Sequence, residues 1–300
     1  MSDISLADRI LGCLYGGALG DALGGPYEGK PLPVEFRLPD SARISDDTQL
    51  TLATCEAMTS AGSVNPESIA AQFLVWFRER RLSGLGSSTL KALRDLDAGG
   101  HWALSGARGE RSAGNGAAMR AAPLAFLLDP NLAGDRTCLR DVCRITHHHD
   151  EAYIGALAIV TAIRCLAFDG CSLHQELLNA VVSSLPDSQV RDRLAQLIAL
   201  RSSTSSQELA RKCGASGFVA DSVPLALIIA AEHATADVLV AIQAAVACGG
   251  DTDTIAALTG QIVGAAHGVS AIPKQICRTI SDWQLIEEVA EQFAAFATAR

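Results

Sequence analysis

Along most of the chain apolar residues recur at helical intervals, and stretches that alternate apolar with polar in the manner of a half-buried strand are scarce. Over residues 6–23, Ile10, Leu11, Leu14, Ala18 and Leu19 hold helical spacing while glycines fill several remaining positions, which predicts a helix packed closely on its neighbours. Gly24-Gly25-Pro26-Tyr27-Glu28-Gly29-Lys30-Pro31-Leu32-Pro33 stops it and opens a loop that runs to about Ile44. A second helix is predicted from Ser45-Asp46-Asp47-Thr48 through Met58, because hydroxyl and carboxylate side chains satisfy free N–H groups and suit the positive end of the helix dipole. Further helical patterns cover 66–82, with Pro66 suited to a first turn, and then 87–96, 116–128, 135–146, 150–168, 172–183, 187–200, 205–212, 221–232, 235–248, 252–267 and 281–298. Residues 99–115, rich in Gly, Ser and Arg, read as a surface loop beside a site. No low-complexity linker or charge block divides the series, so residues 1–300 are expected to form one compact all-α, multi-helix domain.

Composition agrees with that pattern and narrows the partners. Hydrophobic residues make up 49% and charged residues 19%, ample for one large core, and the 5% of aromatics leaves Ala and Leu to dominate, which favours helix over strand. A formal net charge of -9, with no Lys/Arg stripe interleaved with aromatics, argues against general nucleic-acid binding. Cysteines 13, 55, 138, 143, 165, 171, 213, 248 and 277 are scattered, odd in number and without a CxxC pair, so all are expected to be reduced core residues of a cytoplasmic protein. The start, Met1-Ser2-Asp3-Ile4-Ser5-Leu6-Ala7-Asp8-Arg9, lacks the basic n-region of a signal peptide. The longest apolar run, residues 223–231, is shorter than the roughly 20 residues of a spanning helix, so a soluble monomer without membrane contact is expected.

Chemistry gathers in two acidic motifs of common design. Ser45-Asp46-Asp47-Thr48 opens one helix and Gly250-Asp251-Thr252-Asp253-Thr254 opens another about two hundred residues later, each followed by an apolar run that would fix the acids at the rim of the core. Were the two helix starts to face each other, their carboxylates would need either raised pKa values or cations among them. Oxygen donors without His or Cys suit hard ions such as Mg²⁺ or Mn²⁺ rather than zinc, and a pair of ions about 3.5–4 Å apart is a natural occupancy. Taken singly, each motif is also an ordinary helix N-cap.

Five segments stand in the order seen in one enzyme family: Gly16-Gly17-Ala18-Leu19-Gly20-Asp21-Ala22-Leu23-Gly24, Ser45-Asp46-Asp47-Thr48, Gly114-Asn115-Gly116-Ala117-Ala118-Met119-Arg120, Thr146-His147 and Gly249-Gly250-Asp251-Thr252-Asp253-Thr254. Over nearly its whole length the chain resembles the ADP-ribosylglycohydrolases. The resemblance implies an all-α fold with a binuclear Mg²⁺ or Mn²⁺ centre at the base of a cleft, held by Ser45, Asp46, Asp47, Asp251, Asp253 and Thr254. Ser45 replaces the Thr of many relatives and keeps the hydroxyl oxygen. Glu28 matches an acid that in some relatives sits at the metal centre and moves when substrate binds; a solvated loop acid is the alternative. Gly114, Asn115 and Gly116 resemble a loop that wraps ribose and diphosphate, with Met119 in the same motif and Ser112 as a diphosphate contact. Where serine-specific relatives stack a Tyr on adenine this chain has Ala113, so Phe218 is either the replacement platform or a core residue. His147 matches a substrate-side His, while His148 and His149 receive no role.

The implied activity is removal of ADP-ribose from a modified target, most of all ADP-ribosylated arginine on protein, through an oxocarbenium-like transition state. Asp46 or Asp47 would take the water's proton, and Glu28 or another cluster acid would assist the leaving group. The rival readings are a silent ADP-ribose-binding or crystallin-like protein, a hydrolase of serine, nucleobase or metabolite conjugates, and a metallohydrolase of free nucleotides or phosphoesters.

Overall fold

Helical spacing is realised in fifteen α-helices, with no strand among the described residues, which are 4–30, 34–109, 112–234 and 237–300 of this computed structural model. Residues 1–3, 31–33 of the first loop, 110–111 of the Gly/Ser/Arg-rich segment and 235–236, where a helix start was expected, lie outside them. The helices are α1 (Leu6–Gly24), α2 (Asp46–Ala61), α3 (Pro66–Arg78), α4 (Ser87–Asp97), α5 (Trp102–Ser105), α6 (Ala133–Arg144), α7 (Asp150–Phe168), α8 (Gln175–Ser184), α9 (Gln189–Leu200), α10 (Ser206–Cys213), α11 (Val219–Glu232), α12 (Val238–Val246), α13 (Thr252–His267), α14 (Lys274–Cys277) and α15 (Trp283–Thr298). Caps follow the local chemistry: Ser5 Oγ accepts from Asp8 N at 3.1 Å, and Asn65 Oδ1 accepts from Glu67 N at 2.9 Å ahead of Pro66.

Helices that are apolar on every face lie inside: α1, α7, α11 and α13 are buried over most of their length, while α3, α6, α10 and α15 bury a single stripe. The most extensive contact is between α1 and α13, which run antiparallel with glycines facing each other. A Cβ added at Gly12, Gly16, Gly20 or Gly24 would overlap the backbone of Gly264, Gly260, Ala256 or Thr252 respectively, so the two backbones touch without intervening side chains. That seam fixes which residues sit side by side at its end: the C-terminus of α1 lies against the N-terminus of α13.

Three expectations need correction. Residues 116–128 are not an α-helix but two short 3-10 turns, Asn115–Ala117 and Ala122–Phe126, the second with Pro123 in its first turn. The segment 99–115 is not wholly a surface loop, because it contains α5 and its end turns inward, burying Ser112, Ala113 and Asn115. Cys165 and Cys171 are joined in a disulfide. The end of α7 closes with Asp169 N and Cys171 N both donating to the Cys165 carbonyl around Gly170 at φ 69°, which draws the two Cα atoms to 5.4 Å, a separation that spacing alone did not disclose. Helix α7 has the length and composition of a membrane-crossing helix, and 78% of its apolar window is buried, packed on α6, α8, α11 and α13.

Candidate active site and its carboxylate cluster

Both acidic motifs begin helices, and the structure brings those beginnings together. Thr254 Oγ1 donates to Asp47 Oδ2 at 3.3 Å, a direct bond across 207 residues of sequence. Ser45 caps α2, its Oγ accepting from Asp47 N at 3.3 Å. Asp251 precedes α13 without capping it through its side chain. Ahead of it Gly249 and Gly250 take φ values of 66° and 75°, and a Cβ at Gly250 would overlap the Ala215 carbonyl, so this turn into α13 depends on glycine. Neighbouring loops are stitched to it: Gly29 N donates to Gly250 O at 3.0 Å, Asp251 N to Ala215 O at 2.8 Å, and Asn115 N to Gly217 O at 3.0 Å.

The result is a cleft of about 530 Å³ lined by Glu28, Asp46, Asp47, Asp251, Asp253 and Thr254 on one side, and by Gly114, Asn115, Gly116, Met119 and His147 on another. Asn115 Nδ2 donates to Asp251 Oδ2 at 2.6 Å, so the residue expected on the substrate side also holds an acid of the cluster. Ser45, Ser112 and Phe218 were expected at the site and do not line the cleft. The Ser45 hydroxyl lies behind Asp47, Ser112 Oγ donates to Gly109 O at 2.6 Å, and the Phe218 side chain packs on the core while its backbone pairs with Gly114. His148 and His149 have structural partners, the Ala103 carbonyl and the first turn of α7.

Burial and crowding of like charges push these carboxyls upward. Asp46 rises from an ordinary 3.8 to about 8, through burial first and then Asp21 and Asp253. Asp47 and Asp251 are raised well above the usual range, each mainly by burial, with the other acids adding to it. Glu28, at the exposed mouth, is raised chiefly by Asp253. Oxygens of Glu28, Asp251 and Asp253 lie within 4.8 Å of one another, and Asp47 Oδ1 is buried with no hydrogen-bond partner among the described residues. An oxygen-only donor set, with a buried carboxylate oxygen left unpaired, fits hard divalent cations.

Asp21 belongs to this cluster and was not expected there as a site residue. It is wholly buried on α1 and accepts from Ser45 N at 2.9 Å, Ser45 Oγ at 2.7 Å and Thr48 N at 3.1 Å. Burial lifts its pKa to about 6 against the pull of those hydrogen bonds from Thr48 and Ser45. The signal for it was an isolated acid in the otherwise uncharged latter half of an apolar helix. The second omission is the wall formed by Gly84, Gly86, Ser87, Ser88 and Thr89 at the start of α4, legible as a Gly/Ser-rich break between two helical patterns.

Comparison with known proteins agrees with this architecture. The sequence model described as ADP-ribosylglycohydrolase matches residues 2–300. An ADP-ribosylarginine hydrolase of Pseudomonas putida is 28% identical over 95% of this chain and 77% of its own. The ADP-ribosyl-[dinitrogen reductase] glycohydrolase of Rhodospirillum rubrum is 26% identical over 91% of this chain and 90% of its own. A solved structure described as an ADP-ribosylglycohydrolase-related protein complex superposes with a TM-score of 0.77, at 26% identity, covering 98% of this chain and 99% of that one.

Proposed function

Because this chain belongs to the ADP-ribosylglycohydrolase family, we propose that it hydrolyses the glycosidic bond joining ADP-ribose to ADP-ribosylated arginine on protein, with two divalent cations, Mg²⁺ or Mn²⁺, as cofactors. The observation that carries the proposal is the Thr254–Asp47 hydrogen bond, which makes one carboxylate cluster of two distant motifs. Arginine is favoured among targets by the relative from Pseudomonas putida named for it and by a small buried Ala113 in the sugar loop.

Asp46, Asp47, Asp251, Asp253 and Thr254 would hold the cations, with Ser45 behind them and Glu28 at the mouth. Bound there, the cations supply charge neutralisation and polarise ribose hydroxyls and water. The protein's own groups do the rest. Helix α4, which has no acid in its first turn, points its N-terminus at the cleft, an arrangement suited to the diphosphate, with the Gly114–Gly116 backbone as further donors. Asp46 or Asp47 accepts the proton of the attacking water, and Glu28, at the exposed mouth of the cleft, assists departure of the guanidine.

The test is a panel of ADP-ribosylated arginine, serine and nucleotide substrates, assayed with Mg²⁺, with Mn²⁺ and in chelator. Release of intact ADP-ribose from the arginine conjugate is expected, together with at least a ~100-fold loss in Asp47→Asn or Asp253→Asn that keep native circular dichroism. Undiminished turnover in either variant, or full turnover in chelator, overturns the proposal.

A further inference from the structure

Behind the sugar-side wall of the cleft, three buried side chains form a hydrogen-bond chain with a fixed direction. Arg120, only 1% exposed, donates to the Gly116 carbonyl and, through Nη2, to Thr146 Oγ1 at 2.8 Å. A guanidinium can only donate, so the Thr146 hydroxyl accepts there and must direct its own proton elsewhere. Thr146 is wholly buried, and its remaining hydrogen-bond partner among the described residues is His147 Nδ1 at 2.8 Å. Nδ1 therefore accepts, and the proton of a neutral ring resides on Nε2.

Nε2 lies between two glycines on the cleft wall. A Cβ at Gly114 would stand 3.3 Å from Nε2, and one at Gly116 would stand 3.2 Å from Nε2 and 2.7 Å from Cε1. Glycine at both positions leaves room for the ring, and His147 lines the cleft. Burial, with Arg120 and His149 adding to it, lowers the ring's pKa to about 3.

We propose that the Arg120–Thr146 pair locks His147 as the Nε2–H tautomer, making it a neutral hydrogen-bond donor to a ligand oxygen and not a proton acceptor. Arg120 and Thr146 are thus positioning residues that act through His147. The tautomer follows from the wall geometry alone; only the ligand, a ribose hydroxyl or a diphosphate oxygen of ADP-ribose, rests on the proposed function.

Long-range ¹H–¹⁵N correlation spectra of histidine-labelled, ligand-free protein test the lock directly. Wild type and Thr146→Ser are expected to show a single His147 species protonated at Nε2 between about pH 5 and 8. Thr146→Val should shift the ring toward the Nδ1–H form and weaken ADP-ribose binding about tenfold, with the serine variant restoring it. Titration with ADP and with ribose then separates the two oxygen sources, the sensitive one being weakened by Thr146→Val. Protonation of Nδ1 in the wild type, or a tautomer unchanged in Thr146→Val, overturns the proposal. Should Thr146→Val not fold, the wild-type spectrum decides by itself. A normal tautomer with no ADP-ribose binding at all would instead refute the functional reading while leaving the lock intact.

Discussion

Replacing Asp46 by Asn should make the metal-free protein more stable and the metal-loaded one less so. In the folded chain the Asp46 carboxyl holds its proton up to about pH 8, whereas the ordinary value is 3.8. Below about pH 4 both folded and unfolded chains carry that proton and the group is neutral in its effect. As pH rises from there the unfolded chain ionises first, so stability falls until the folded carboxyl also ionises near pH 8. About four pKa units at 1.36 kcal/mol each give a ceiling of roughly 6 kcal/mol. Asp47 and Asp251 remain in the variant and share the same protons, so a gain of about 2 kcal/mol, or roughly 5 °C in Tm, is expected at pH 8 in chelator. At pH 4 the gain should vanish. Saturating Mg²⁺ or Mn²⁺ should stabilise wild type by about 3 kcal/mol at 100 times Kd and the variant by much less, reversing their order. Thermal unfolding at two pH values, with and without cation, reads all four states. If Asp46→Asn is no more stable than wild type at pH 8 in chelator, the electrostatic account of the cluster is wrong.

Packing and covalent linkage give two further outcomes. Gly16→Ala or Gly260→Ala forces a methyl into the facing backbone of the α1–α13 seam and should cost about 1–3 kcal/mol or more while weakening cation binding, whereas Gly134→Ala, with open space around it, should be neutral or mildly stabilising by urea unfolding. Reduction of the Cys165–Cys171 bond should lower stability by about 2 kcal/mol and leave hydrolysis unchanged, because it lies at the C-terminal end of α7 while the N-terminal end of that helix adjoins the cleft; mass spectrometry of alkylated peptides would show both thiols labelled only after reductant.

The helices and the two acidic motifs were legible because each rests on local chemistry: apolar spacing, and hydroxyl or carboxylate residues at a helix start. The features that escaped depend on distance. Asp21 resembles any stray acid until the fold places it under Ser45, and Arg120 is one more arginine until Thr146 is found against it. The helix expected over 116–128 failed because apolar content there reflects burial and not period; Gly116 is needed beside His147, and Pro123 lacks the N–H that a continuous helix would use at its position. Of the two readings of Phe218, adenine platform or core residue, the structure shows the ring packed on the core, and the backbone pairing with Gly114 was not foreseen.

The α1–α13 seam also governs when chemistry becomes available. One face of the acid cluster comes from residues on α1 and α2 and the other from α13, with Asp47 and Thr254 separated by 207 residues of chain, so α1 is synthesised well before the partner that covers its glycine face. A chain halted before α13 would lose its central packing partner and half of its carboxylate cluster together. Detachment of that helix in a folded molecule would do the same, which ties loss of activity to loss of structure in a single event.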